Sequence, residues 1–313
     1  MRSACLVLVM LVLGIAPARA EGTLAILALD LAQETTARAA RAAEAAGLDK
    51  GWEVEVEDAS GDIAAQGRRL EALAERKVGS ILLVQTRVAE LEQPLAAVAR
   101  AGIPVVSVMS GIGPHTAIDV TVNEYEIGAR IAAYLVGAMR NQGGLLMERA
   151  ASPAGARIRG RVMDLVLEEE RGVSLAASRE PDPPAGTPEA VKAALGEWLD
   201  RHLQGARAVW TAESAQAFLT DDLLRARGIR PGQLLLTTVD GGQEAFRRLR
   251  DPASLLTATV VLPYELMGEA GVDTLEDLLA GTPKDQITTG PQLFIDTVLV
   301  DRAGVPPEDE WPW

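Results

Sequence analysis

RKVGSILLVQTRVAELEQPLAAVARAGIPVVSV (76–108) contains one complete structural cycle. SILLV (80–84) is too short for a helix and apolar after its serine, as expected of a strand buried on both faces. An amphipathic helix over 89–101 follows, and IPVVSV (103–108) repeats the buried strand. Buried strands separated by helices imply a parallel sheet with helices on both faces.

The cycle extends in both directions. Upstream lie LAILAL (24–29), an alanine-rich helix over 33–46 stopped by Gly47, WEVEVED (52–58) and a helix over 62–77. Downstream the pattern restarts with a helix over 124–140, GGLLME (143–148), a helix over 155–171 and a weak strand at 173–178. A Pro-rich loop at 181–188 precedes a helix over 188–203 and RAVWTA (207–212). Then come a helix over 214–227, LLLTTVD (234–240), a helix from Gln243 to Leu249 and LLTATVVL (255–262). A last long helix covers 264–280, and one apolar strand is expected near 293–300. The fold expected is α/β, with two doubly wound parallel-sheet lobes joined by crossing segments. Residues 21–122 plus 263–290 form the expected N-terminal lobe, 123–262 plus 291–301 the C-terminal lobe, and 302–313 a tail.

The chain opens with MRSACLVLVMLVLGIAPARA. One early arginine, an apolar run from Ala4 to Pro17 and Ala-Arg-Ala before Glu21 read as a secretory signal peptide cleaved after Ala20. Its removal takes the only cysteine, Cys5, with it. The mature chain is therefore expected to have no disulfide, thiolate nucleophile or cysteine metal site. Losing Arg2 and Arg19 takes the formal net charge from −14 to −16, which disfavours nucleic acid as a partner. The two histidines, His115 and His202, lie far apart in sequence and fit neither a zinc-ligand nor a triad pattern. There is no G-x-S-x-G elbow and no phosphate-cradling glycine spacing, so neither a hydrolase nor a nucleotide cofactor is expected.

Six strings resemble, in order and spacing, the type I periplasmic sugar-binding proteins of ABC transporters, of which ribose-binding protein is the pattern. They are RKVGSILLV (76–84), ARAGIPVVSV (99–108), GARIRGR (155–161), AVWTAESA (208–215), TTVDGG (237–242) and LTATVVLPYELMG (256–268). The LacI-type repressors share that fold but begin with a helix-turn-helix, where this chain has an export signal. The resemblance implies a monomeric, non-enzymatic periplasmic protein without cofactor. It would capture a small molecule between its lobes and deliver it to an inner-membrane permease. The alternative reading is a sensor that presents its closed form to a chemoreceptor, a histidine kinase or a non-ABC transport system.

Ligands of open α/β sheets bind beyond the carboxyl ends of the strands. That rule and the resemblance together nominate Leu31 and Gln33 after the first strand, Met109 and Ser110 after the fourth, and Arg159 at a helix start. Glu213, Asp240 and Leu262 follow later strands, and Tyr125 and Tyr264 stand beside lobe crossings. Each has a plainer reading. Asp240 and Glu213 could cap helices, Arg159 could join a solvated face with Arg157 and Arg161, and Met109 and Leu262 could be core. Gln33 and Ser110 could serve loop backbone. The chain also departs from the sugar pattern. It lacks the aromatic first loop, has Met109-Ser110 for an Asp-Arg pair, Glu213-Ser214 for Asn-Asp, and Leu262 for Gln. Only Arg159 and Asp240 keep the residue type. Eleven aromatics in 313 residues leave few rings to face a sugar, so a less polar or differently shaped ligand is expected.

Overall fold

A computed structural model describes residues 22–151, 153–180 and 187–308. The signal segment, residues 181–186 of the Pro-rich loop and the tail's tryptophans lie outside the described residues.

The first half alternates strictly: β1 (Thr23–Ala28), α1 (Glu34–Asp49), β2 (Glu53–Asp58), α2 (Ile63–Arg76), β3 (Ser80–Val84), α3 (Glu92–Arg100) and β4 (Val105–Val108). A short β5 (Asp119–Thr121) leads across to α4 (Glu124–Ala138). The second half repeats the plan with β6 (Gly143–Glu148), α5 (Ala154–Glu169), β7 (Val173–Arg179), α6 (Pro188–His202) and β8 (Ala206–Thr211). It continues through α7 (Ser214–Ala226), β9 (Leu235–Asp240), α8 (Gln243–Arg250) and β10 (Leu256–Val261). The chain then recrosses into α9 (Tyr264–Ala280), α10 (Lys284–Ile287) and β11 (Gln292–Phe294), and returns for β12 (Val298–Asp301).

Two six-stranded sheets result, ordered β11-β5-β4-β3-β1-β2 and β12-β10-β9-β8-β6-β7. Every pairing is parallel except β10 with β12. These are the two lobes that the alternating pattern implies. In each sheet the strand order reverses once, between β1 and β3 and between β6 and β8. Those reversals are the topological switch points, where a crevice opens beyond the strand ends.

Two details depart from the sequence reading. The single apolar strand expected near 293–300 is two strands on different sheets. Gln292–Phe294 pairs with Asp119–Thr121 in the first sheet, whereas Val298–Asp301 pairs with β10 in the second. The third crossing therefore falls at 295–297, and the assignment of all of 291–301 to the C-terminal lobe is corrected. The second departure is β5, for which the sequence reading assigned no strand. It is only three residues long, and its Asp119 is buried because Ser107 Oγ, at 2.7 Å, and the Ser110 amide, at 3.1 Å, donate to it.

Central strands are buried throughout: Ser80–Val84 and Val105–Val108 have no exposed position. Fully burying such an aliphatic side chain contributes about 1.5–3 kcal/mol. One core cluster includes residues of both sheets and of α1, α4 and α9, while two others lie within single lobes. The long helices that follow the crossings seat closely. α9 lies against α1, where a Cβ on Gly268 would collide with the Ala39 carbonyl oxygen. α4 lies against α5, where a Cβ on Gly155 would collide with the Glu124 carboxylate.

Candidate functional site

The second lobe assembles its strand ends around one buried arginine. Arg159 sits in the second turn of α5, 3% exposed. Its guanidinium is committed inside the protein. Nε donates to Glu124 Oε2, Nη2 to Glu124 Oε1 at 3.0 Å, and Nη1 to the Ala212 carbonyl at 3.2 Å and Asp240 Oδ1 at 3.4 Å. A guanidinium has five N–H donors, and four are thus engaged. Burial opposes its charge, but Glu124 and Asp240 more than offset that and raise its pKa. The solvated basic face considered for Arg159 is excluded by this burial.

Asp240, at the end of β9, gathers the network. Besides Arg159, its Oδ1 accepts from the Tyr264 hydroxyl at 3.2 Å, and its Oδ2 accepts from the Ser214 amide at 3.1 Å. The helix it could cap by sequence is α8, yet its carboxylate serves the start of α7. Tyr264 is 3% exposed and opens α9, the helix packed on the first lobe, so its bond to Asp240 ties the two lobes together. The Arg38 guanidinium lies 5.2 Å from the Tyr264 ring centroid and pairs with Glu265 at 2.6 Å. Burial, then the Asp240 charge, hold the Tyr264 hydroxyl well above its ordinary pKa.

Glu213 differs from its neighbours. It occupies the N-cap position of α7 without capping it, and among the described residues no hydrogen bond or ion pair reaches its half-buried carboxylate. Burial, with Asp240 and Glu148 adding to it and Arg159 opposing, pushes its pKa up to about 7. Behind it Glu148, 3% exposed, faces Arg179 at 3.7 Å and accepts from the Thr220 hydroxyl at 3.2 Å. Burial again dominates and raises its pKa to about 7.

The first lobe presents a less charged surface. Leu31 is half-buried, with its amide held by Asp58 Oδ1 at 3.0 Å. Gln33 is exposed, and its side chain bonds Asp30 at 3.2 Å. Met109 is half-buried at the end of β4. Ser110 is buried with its hydroxyl donating to Val108 O at 2.9 Å and accepting from the Thr86 amide, so it serves loop backbone. Leu262 is fully buried in the core, and Tyr125, at the start of α4, is 66% exposed. The sequence reading missed Gln85, Glu124 and Glu148. Gln85 ends β3 at the first-lobe switch point, and its Oε1 accepts from the Thr35 and Thr36 hydroxyls at 3.2 and 3.1 Å. Its place beyond a buried strand could have identified it. Nothing in a linear reading pairs Glu124 with Arg159, thirty-five residues away.

Gln85, Met109 and Asp240, all at strand ends, have φ of 49°, 48° and 87°. Left-handed backbone is costly for residues with a Cβ, and such strain concentrates where ligands are clamped. Beyond the strand ends, a groove of about 290 Å³ is lined by Glu34, Arg38, Arg41, Ala42, Gln243 and Glu265. Here the second lobe comes close to the first: a Cβ on Gly242 would lie 3.5 Å from Arg38 Nη1. Among the described residues no group of His, Cys, Asp and Glu could hold a metal ion, and no helix is long and apolar enough to cross a membrane.

Two switch-point crevices on paired doubly wound lobes, linked by three crossings, define a binding protein of the periplasmic type. The sequence agrees: residues 30–283 match the periplasmic binding protein domain, and the chain belongs to that family. Its fold is that of solved sugar-transporter proteins. An ABC sugar transporter subunit from Rhodobacter sphaeroides 2.4.1 superposes with a TM-score of 0.75 at 23% identity, covering 90% of this chain and 98% of that one. An ABC transporter solute-binding protein from Agrobacterium vitis with bound allitol gives 0.77 at 21% identity, with 91% and 96% covered. A 5-methylthioribose transporter solute-binding protein from Thermotoga lettingae gives 0.79 at 17% identity, with 90% and 86% covered. No curated protein matched by sequence.

Proposed function

We propose that this protein is exported to the periplasm, captures a small solute between its lobes and hands it to a membrane transporter. The solute is less polar than a monosaccharide. Binding residues come from the two sets of strand ends, with Leu31, Gln33, Gln85 and Met109 on one side and Glu213 and Asp240 on the other. Tyr125 stands at the crossing side, Tyr264 holds Asp240, and Ser110, Arg159 and Leu262 shape the walls without reaching the ligand.

The observation that carries this reading is the commitment of Arg159. A monosaccharide hydroxyl that leaves water needs a partner, and an unpartnered polar group costs about 1–3 kcal/mol. Here Arg159 spends its donors on Glu124, Asp240 and Ala212. The first lobe supplies Leu31 and Met109 where sugar-binding relatives are expected to carry polar side chains. Closure needs no reaction: a ligand with greater affinity for the closed form shifts the equilibrium to it.

The test is a thermal-melt panel of the mature protein against pentoses, hexoses and polyols, and against small molecules of mixed polarity. A ligand at a hundredfold excess over its Kd stabilises the folded state by about 2.7 kcal/mol. Stabilisation by mixed-polarity molecules with a flat response to sugars is expected. A clear shift with a pentose or hexose refutes the less polar cleft. Uptake of the identified ligand, measured with and without this protein, tests delivery.

A further inference from the structure

Each of the three crossings is gripped by an arginine where it meets a lobe. After the first, at 122–123, Glu124 opens α4 and accepts from Nε and Nη2 of Arg159. After the second, at 262–263, Glu265 in the first turn of α9 accepts from Nε and Nη2 of Arg38 at 2.6 and 2.9 Å. In the third, the Thr297 carbonyl accepts from Nη1 of Arg130, on α4. Arg159 and Arg38 are 3% and 5% exposed, so solvent screens their pairs less than pairs on the surface. Rotation of one lobe against the other is thereby confined to the few residues between these grips.

Two contacts also run from lobe to lobe beside the second crossing. The Tyr264 hydroxyl, on the helix packed against α1, donates to Asp240 Oδ1 of β9 at 3.2 Å. Both residues are buried, so pulling them apart leaves polar atoms unpaired away from water. At the start of α8, Gly241 and Gly242 have φ of 73° and 96°, left-handed backbone that glycine adopts without steric cost. This turn brings the second lobe so near α1 that a Cβ on Gly242 would lie 3.5 Å from Arg38 Nη1 and 3.6 Å from Glu34 Oε1. Gln243 then supplies the second-lobe side of the groove described above. Arg38 takes part in every one of these contacts: it pairs with Glu265, lies 5.2 Å from the Tyr264 ring centroid and faces Gly242.

We infer that the protein's own side chains lock the hinge, with Tyr264 and Arg38 as the central pieces, so that the lobes hold the arrangement described above before any solute arrives. Opening has to break the bond from Tyr264 to Asp240 and draw Gly242 away from Arg38 in one movement. A solute then meets lobes already in place, and the population shift left for it to drive is small. The lock goes beyond the solute-capture reading and does not depend on which solute binds.

Residues 21–313 contain no cysteine, so spin labels can be carried by introduced cysteines alone. Ala72→Cys on α2 and Ala194→Cys on α6 put one exposed label on each lobe. Double electron–electron resonance on the mature labelled protein without ligand should give one population, at the separation this structure defines. Losing a hydrogen bond to a charged group shifts a two-state ratio by about tenfold or more, which would raise a rearranged population of about 1% to about 10%. Tyr264→Phe combined with Arg38→Met, its fold checked by circular dichroism, should therefore show a second separation. Tyr264→Phe alone takes its place if the double variant is unstable. Two populations in the unliganded parent, or a single separation unlike that of this structure, would overturn the lock. So would a folded variant that keeps the parent's distribution. Because the measurement uses no ligand, either result leaves the solute-binding reading intact, and that reading stands or falls on the thermal-melt panel.

Discussion

Glu148 sets a measurable pH dependence of stability. It is 3% exposed at the end of β6, and burial outweighs Arg179 and Thr220 to place its folded-state pKa at about 7. In the unfolded chain it returns to 4.5. The raised value means that the folded state holds its proton more tightly, so stability is greatest below pH 4.5 for this group. It falls as pH rises through the window between 4.5 and 7, and is constant above it. At about 1.36 kcal/mol per unit, the loss across that window is roughly 3 kcal/mol for Glu148 alone. Glu213 changes in the same direction by a smaller amount, because solvent screens its half-exposed carboxylate. Urea unfolding of the unliganded protein at pH 5 and pH 8 measures the difference directly. Glu148→Gln keeps the shape and the Thr220 contact but cannot ionise, so the variant should lose most of the pH 5 to pH 8 decline. The reasoning is refuted if the variant and the parent decline equally.

Other variants probe the same framework. Arg159→Met leaves Glu124 and Asp240 buried without their cation, which should cost about 3–5 kcal/mol at pH 7 in denaturant unfolding; a loss under about 1 kcal/mol would contradict the network. Gly155→Ala drives a methyl group into the Glu124 carboxylate. It should lower the melting midpoint while Gly137→Ala, a helix position with open space around it, leaves that midpoint unchanged or raises it. Gly268→Ala opposes a backbone carbonyl of α1, which cannot swing aside like a side chain, so a destabilisation of about 1–3 kcal/mol is expected from equilibrium unfolding.

The alternation of buried strands and helices was legible because each element advertises its own periodicity. LAILAL, SILLV and IPVVSV all became parallel strands, and the helices between them followed within a few residues of the expected ends. The two short strands, β5 and β11, escaped because three residues carry no period; β5 forms by pairing with β4 on one side and β11 on the other, and β11 by pairing with β5 at the sheet edge. Asp240 and Glu213 could be named from their places beyond strands, but not what they do there. One is engaged by Arg159, Tyr264 and Ser214, whereas among the described residues no hydrogen bond reaches the carboxylate of the other.

By itself the sequence determined the fold class, the two-lobe plan and the strand ends at which a ligand could be held. These depend on local hydrophobic patterning and on the chirality rules of parallel sheets. Only the tertiary structure decided which polar groups remain free. Pairing of Arg159 with Glu124 depends on how closely α5 seats against α4, and that seating is a property of packing rather than of any one segment.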